Sequence, residues 1–512
     1  MTPNALLGID LGATAVKVGL FSAEDGRMLG LSTQEYALSS PREGWAEMDA
    51  ETYWRAVVAG VREVQRQAPD WRAVSIGLSS QGQTFMLLDK AHRPIRPAVV
   101  WLDVRAQKEA DELLRKLGPE AWRARTGYPF CQAISSAPKL IWLAREEPEH
   151  WRRAHHVAML PEFIGHRLTG QYVCDPANME SSSFYGDLGW WDEALKAAGI
   201  PRELFGDVKD SGERIGALTT AAAKELSLDP GLPVGVGSND QLTGAIGVGN
   251  VRPGLMSGAV GTAMAIIGTL PGDAPPGANL PVDRHAAPGL RYALTFSITS
   301  GILLKWFRDG FAPGKSYDDL TAMASSVEIG AGGLTLLPHF AGMATPTFDS
   351  SVRGGLAGLT LAHGQAHLVR AVLESVGFMV RDSVELLRAN FHRDWRSLRI
   401  LGGATRSPAW VQMIADIAGM PIELPRCSEA AVFGGAILGG VAAGVLPGIV
   451  EASERFYASD RVFTPGADAM KYQEPYRRYR AAMERMYPGA LGLTNGETGE
   501  WRILPIPPIL PM

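Results

Sequence analysis

The stretch LLGIDLGATAVKVGLF, residues 6 to 21, constrains the fold more than any other part of the chain. An apolar run, Leu6-Leu7-Gly8-Ile9, ends at Asp10, and a turn built on Gly12, Ala13 and Thr14 follows. Val16, Val18 and Leu20 then alternate with Ala15, Lys17 and Gly19. A period of two after the turn predicts a strand and not a helix. Dinucleotide-binding and Walker-type phosphate loops run from strand into helix, so both are disfavoured here. What remains is a glycine turn joining two antiparallel strands. Asp10, at the entry to that turn, reads either as a turn former bonding its own backbone or as a carboxylate that handles a cation or phosphate.

The device recurs. GLMSGAVGTAMAIIG, residues 254 to 268, is again an apolar segment, a Gly-x-x-Gly-Thr turn and an apolar segment. Two such units predict a chain of two similar halves with a phosphate-sized ligand between them; the alternative is a chance match between two short Gly-rich hairpins. Between them, AVSIGLSSQGQTFMLLD (73–89) reads as strand, polar loop and strand, and RPAVVWLDVRAQKEADELLRKL as a strand end followed by a charged helix. SSAPKLIWLAREEPE predicts a helix starting after Pro138 and stopping at Pro148. Leu368, Val372, Val376, Met379 and Val380 form one apolar helical stripe. LRILGGATRSPAW reads as a strand entering a Gly-Gly turn, with a helix after it, and SEAAVFGGAILGGVAAG as a small-residue helix able to pack closely. The Pro-rich end, GETGEWRILPIPPILPM, reads as an irregular tail.

Length and charge remove several function classes. With 512 residues the chain exceeds what one hydrophobic core usually serves. A net charge of −5 with no long basic run argues against nucleic acid as a partner. No cleavable apolar leader and no apolar stretch of about 18 residues appears, so no membrane role and a cytoplasmic location are expected. Cys131, Cys174 and Cys427 match no disulfide or zinc framework, and His155-His156 reads as a surface pair and not as ligands.

Taken in order, these motifs resemble the FGGY carbohydrate kinases, a family of the actin-like ATPase superfamily, from residue 6 to about residue 445, with xylulokinases nearest in pattern. GIDLGATAVK resembles the family's first phosphate loop, PKLIWLAREEPE its first signature (with Ile134 where a small or aromatic residue is usual), GGLAGLTLAHGQAHLVRAVLE its second, and LGGATRSPAW its adenosine loop. The resemblance implies an α/β fold of two actin-like (ribonuclease H-like) ATPase domains with an interdomain catalytic cleft. The expected division is an acceptor-binding domain at 1–245, a nucleotide-binding domain at 253–445, and helices and a tail at 446–512. It also implies ATP and Mg²⁺ as cofactors, a small sugar or polyol as substrate, and allows a homodimer.

Phosphoryl transfer needs a metal to screen charge, donors to cradle oxygens, and a base for the attacking hydroxyl. By resemblance Asp10 meets Mg²⁺, and Asp240 in VGVGSNDQLTGAIGVG is the base and a second metal-side carboxylate. Without the resemblance, Asp240 reads equally as a helix N-cap. Gly12, Ala13, Thr14 and Lys17 would form one phosphate loop and Gly261 and Thr262 the other. Ala13 lacks the hydroxyl common at that position, and Lys17 reads equally as a solvated strand residue. Gly301, Lys305, Gly402, Gly403, Ala404 and Ser407 match nucleotide positions, the glycines allowing close approach to backbone.

The acceptor pocket departs most from the pattern. Gly82 and Gln83 replace the Met-His of xylulokinases, and Leu102 replaces an asparagine while Trp101, Asp103 and Arg105 remain. Arg105 reads alternatively as a structural ion-pair partner of Asp103. Gln241 matches glycerol kinases, and GMATP (342–346) lacks two charges usual there. The expected function is therefore ATP-dependent phosphorylation of a small sugar or polyol, a ketopentose such as xylulose foremost. Glycerol, erythritol or ribulose are the alternatives, and a nucleotide-binding module without kinase activity is the rival from another class.

Overall fold

In the computed structural model, which describes residues 2–128 and 130–492, the opening stretch is a β-hairpin as predicted. Strand Asn4–Leu11 runs antiparallel to Ala15–Ser22, with Asp10 opposite Lys17, and Met28–Glu35 pairs antiparallel with the second strand. After helix Ala50–Gln67 the chain returns as Arg72–Ser80, parallel to the first strand, and Pro233–Gly235 adds beyond it, again in parallel. The order across the sheet is third, second, first, fourth, fifth, with Arg214–Ala217 on the far edge.

The second half repeats this plan. Met256–Val260, Met264–Pro271 and Leu290–Ser297 form an antiparallel meander. Helix Gln365–Phe391 then leads to Leu398–Leu401, parallel to the first strand of the meander, and Ile422–Pro425 lies parallel beyond it. A chance likeness of two hairpins would not also repeat the crossover helix and both parallel partners. The duplication is in the topology.

The halves are joined where backbone meets backbone. Helix Ala430–Ala442 belongs by sequence to the second half but packs against strands Asn4–Leu11 and Arg72–Ser80 of the first. A Cβ on Gly77 would overlap the Gly435 carbonyl oxygen, and one on Gly8 would overlap that of Val432. The same helix meets helix Asp240–Gly247, where a Cβ on Gly434 would overlap Thr243 O and one on Gly247 would overlap Ala430 O. The glycine-rich composition of this helix is thus what lets it lie against a sheet and a second helix at once.

Three expectations need correction or delimitation. The signature helix spans Ser136–Glu146, so Pro138 lies inside its first turn, where a missing N–H costs no intrahelical bond. His155 is exposed, but His156 is buried, its Nε2 3.1 Å from Glu162 Oε1. The Pro-rich tail read from sequence lies outside the described residues. Among those described, no helix is long and apolar enough to cross a membrane.

Candidate active site

Strand register brings Asp10 and Asp240 to the carboxyl ends of the central strands of the first sheet. Asp10 is level with Ser79 on the parallel neighbour, and Ser79 is level with Ser238 on the next segment. Asp240 follows two residues later as the first residue of its helix. The N-cap of that helix is Asn239, whose Oδ1 accepts from Leu242 N at 3.0 Å. The capping task is therefore filled, and the N-cap reading of Asp240 is excluded.

The two carboxyls feel one another. Burial, then the charge of Asp10, pushes Asp240 up to about 7, against the lowering effect of Gln241. Asp10 is also raised by burial, countered by Ser79 Oγ, which donates to Asp10 Oδ1 at 2.7 Å, and by Lys17. Ser79 Oγ is in turn 2.7 Å from Thr243 Oγ1 on the Asp240 helix, so one hydroxyl pair ties the two acidic elements together. The turn beside Asp10 is braced: Gly12 N donates to Ala15 O, and Gly12 O accepts from Tyr36 Oη at 2.6 Å and Gln81 Nε2 at 3.1 Å. Ala13 and Thr14 complete this turn, with Thr14 exposed.

Lys17 is partly exposed but already paired. Its Nζ lies 2.7 Å from Glu429 Oε2, at the head of the helix that crosses from the second half. Glu429 also acts on Asp10, raising it. Sequence reasoning missed Ser79 and Glu429, because their relation to Asp10 follows from strand pairing and from a helix some 400 residues away and not from spacing.

On the second half the structure gathers the glycines into one place. Gly301 N donates to Gly261 O at 2.6 Å and Ser300 N to Thr262 O at 2.9 Å. Gly402 sits at φ +99°, and a Cβ there would press on Val260 O and Gly261 N, so only glycine fits without strain. Gly403 opens a short helical turn through Arg406, with Ala404 buried in it. Ser407 caps helix Pro408–Ala418, accepting from Trp410 N. Lys305, on helix Ile302–Phe311, is exposed and paired with Asp309 at 2.5 Å, one helical turn from Gly301.

Two acceptor-side expectations change. Asp103 is fully buried; its Oδ1 accepts from Arg105 N and Nε and its Oδ2 from Ala46 N and Arg105 Nη2. Four bonds fill a carboxylate's acceptor sites, so Asp103 has none left for a sugar hydroxyl. Arg105 is bound to Asp103 and to Glu47, with its guanidinium 3.5 Å from the Trp45 ring centre. The ion-pair reading is the one the structure displays for both residues. Gly82, Gln83, Trp101 and Gln241 stay partly exposed. Gln83 is held at φ +60°, with its N–H donated to Ser181 Oγ at 3.0 Å. Trp101 N donates to Thr84 Oγ1, which sets Trp101 beside the Gln83 loop.

The donor set fits a small hard cation. Among the described residues no group of three or more His, Cys, Asp or Glu could hold a metal. Mg²⁺ typically takes only one or two carboxylates and keeps water or phosphate oxygens for the rest. Asp10 and Asp240, two desolvated carboxyls of which the first raises the proton affinity of the second, suit that role, since a divalent charge between them relieves the repulsion.

Comparison with known proteins agrees with this architecture. Residues 5–247 match the N-terminal domain of the FGGY family of carbohydrate kinases, and residues 253–443 match its C-terminal domain. The chain is 26% identical over 483 residues to a xylulose kinase of Lactococcus lactis subsp. lactis, covering 93% of this chain and 95% of that one. It is 30% identical over 504 residues to a glycerol kinase of Rhodopirellula baltica, covering 95% and 91%. The crystal structure of a xyloylose kinase from Brucella ovis, 28% identical, matches with a TM-score of 0.86 over 94% of this chain and 99% of that one. With both domains matched across nearly the whole chain and the duplicated sheet in place, this protein belongs to the FGGY family of carbohydrate kinases.

Proposed function

We propose that the chain transfers the γ-phosphoryl group of ATP to a hydroxyl of a small neutral sugar or polyol, a ketopentose such as xylulose foremost. One observation carries this: Asp240, relieved of capping by Asn239, sits beside Asp10 at the carboxyl ends of the central strands, its metal-free carboxyl held up to about 7. A general base works best when its pKa lies near the operating pH. Asp240 accepts the proton of the acceptor hydroxyl as the oxygen attacks phosphorus. Asp10 and Asp240 would hold Mg²⁺, which when bound screens the phosphate charge. The braced Gly12–Thr14 turn and the Gly261–Thr262 turn supply donors to phosphate oxygens, and the glycines at 301, 402 and 403 admit the nucleoside close to backbone. Gln83, Trp101 and Gln241 contact the acceptor.

A xylulose kinase and a glycerol kinase among the relatives, together with Gln241, support glycerol as the second acceptor to test. The deciding experiment is coupled ADP release with ATP and Mg²⁺ over ketopentoses, aldonates and polyols including glycerol and erythritol. Acceptor-dependent turnover with a ketopentose well above the others is the expected result. Preference for a polyol would replace the ketopentose. Nucleotide binding with no acceptor-stimulated turnover would overturn the kinase reading.

A further inference from the structure

The first turn of helix Ser136–Glu146 touches three separate loops. Ser136 Oγ donates to Gln83 O at 3.2 Å. Ser136 N and Ala137 N donate to Ser181 O and Ser182 O at 3.5 and 3.0 Å. One turn on, Lys139 Nζ donates to Val100 O at 3.1 Å and Trp101 O at 3.2 Å. Residues three apart share a helix face, so Ser136 and Lys139 act on the same side. The loops they hold carry Gln83, Trp101 and Ser181, and Ser181 itself accepts from Gln83 N.

Lys139 is fully buried. Burial pushes its ammonium down to about 7, with Asp103 opposing that fall and Arg105 adding to it. A lysine is almost never fully buried unless it is paired. An apolar side chain would fill the same space. What lysine adds is a pair of N–H donors to the two carbonyls that flank the Trp101 side chain, and a positive charge beside the Asp103 carboxylate.

We propose that Lys139 is a positioning residue for the acceptor site: by holding the carbonyls on both sides of Trp101, it sets where the indole meets the acceptor, while Ser136 of the same turn sets Gln83. This rests on the reading of Gln83 and Trp101 as acceptor contacts. Lys139→Met keeps an unbranched stem and removes donors and charge; Ser136→Ala removes one buried hydroxyl from the same turn and little volume. In steady-state kinetics on the full chain, Lys139→Met raises the acceptor KM about tenfold or more, with ATP KM and kcat within about threefold, the pattern of lost uniform binding. Ser136→Ala raises acceptor KM in the same direction and by less, and decides the matter should Lys139→Met fail to fold. Unshifted acceptor KM in the folded variants, or a parallel rise in both KM values, overturns the inference while leaving the kinase reading intact. A wild type that phosphorylates no acceptor overturns the kinase reading and this inference with it.

Discussion

Asp240→Asn separates two consequences of one partly buried carboxyl. The first is catalytic. A positioned general base contributes about 10²–10⁴-fold, so kcat falls by at least about a hundredfold while ATP KM stays within about threefold. The second is stability, and it has the opposite sign. Burial and then Asp10 raise the Asp240 carboxyl from 3.8 to about 7. Between about pH 4 and 7 the folded chain therefore keeps a proton that the unfolded chain has released, so stability falls as pH rises through that window. Above about 7 the loss is complete. At 1.36 kcal/mol per pKa unit the rise corresponds to at most about 4 kcal/mol, and the asparagine amide, which needs its own hydrogen bonds, offsets part of that gain. Urea denaturation of both proteins at pH 8 and pH 4, without nucleotide or divalent cation, reads the difference. The variant is expected to be the more stable at pH 8, with the gap closing towards pH 4. A variant less stable at pH 8, or a gain independent of pH, would refute the account of why this carboxyl is raised.

The remaining predictions concern pH, the ion pairs and the glycine seam. Wild-type kcat/KM for the acceptor falls about tenfold per pH unit on the acid side as Asp240 takes up its proton, with a midpoint below the metal-free value of about 7 because bound Mg²⁺ favours the charged carboxylate; a profile with no acid limb contradicts Asp240 as base. Arg105→Ala leaves the buried Asp103 carboxylate without its guanidinium partner, while Glu47 keeps Arg96, and is expected to lose about 3–5 kcal/mol in urea denaturation; a loss under about 1 kcal/mol would show that the network is not structural. Lys17→Met breaks a bridge whose side chains are 37% and 20% exposed, so the melting temperature barely moves; a clear drop on thermal denaturation would show the bridge to be structural. Gly77→Ala forces a Cβ onto the Gly435 carbonyl oxygen, backbone against backbone, and loses more than about 4 kcal/mol or yields no soluble protein.

Local pattern carried the fold a long way. Alternation after Gly12 identified the first hairpin as strand–turn–strand, and a second apolar–glycine turn–apolar unit at Gly261 pointed to the duplication. What spacing could not convey was how helix Ala430–Ala442 leaves its own half to pack on the other; only its small residues hinted at it. The same limit applied at the site. Asp10 and Asp240 were legible as carboxylates at strand and helix ends. Their partners Ser79, Thr243 and Glu429 were not, since each reaches the site through strand register or interhelix packing. Asp103 illustrates the converse: a carboxylate between exposed Leu102 and Val104 looks available in sequence, yet the chain turns it inward onto Ala46 and Arg105.

The central claim is that a single acidic side chain at the junction of the two sheets takes the proton from the alcohol being phosphorylated. A crystal structure of the Asp240→Asn chain with a non-hydrolysable ATP analogue and its preferred acceptor tests this most directly. The account places one acceptor hydroxyl within about 3.2 Å of the position-240 side chain and in line with the terminal phosphorus. An acceptor bound with every hydroxyl well beyond hydrogen-bond reach of that side chain, or a nucleotide bound away from the Gly12 and Gly261 turns, would contradict it.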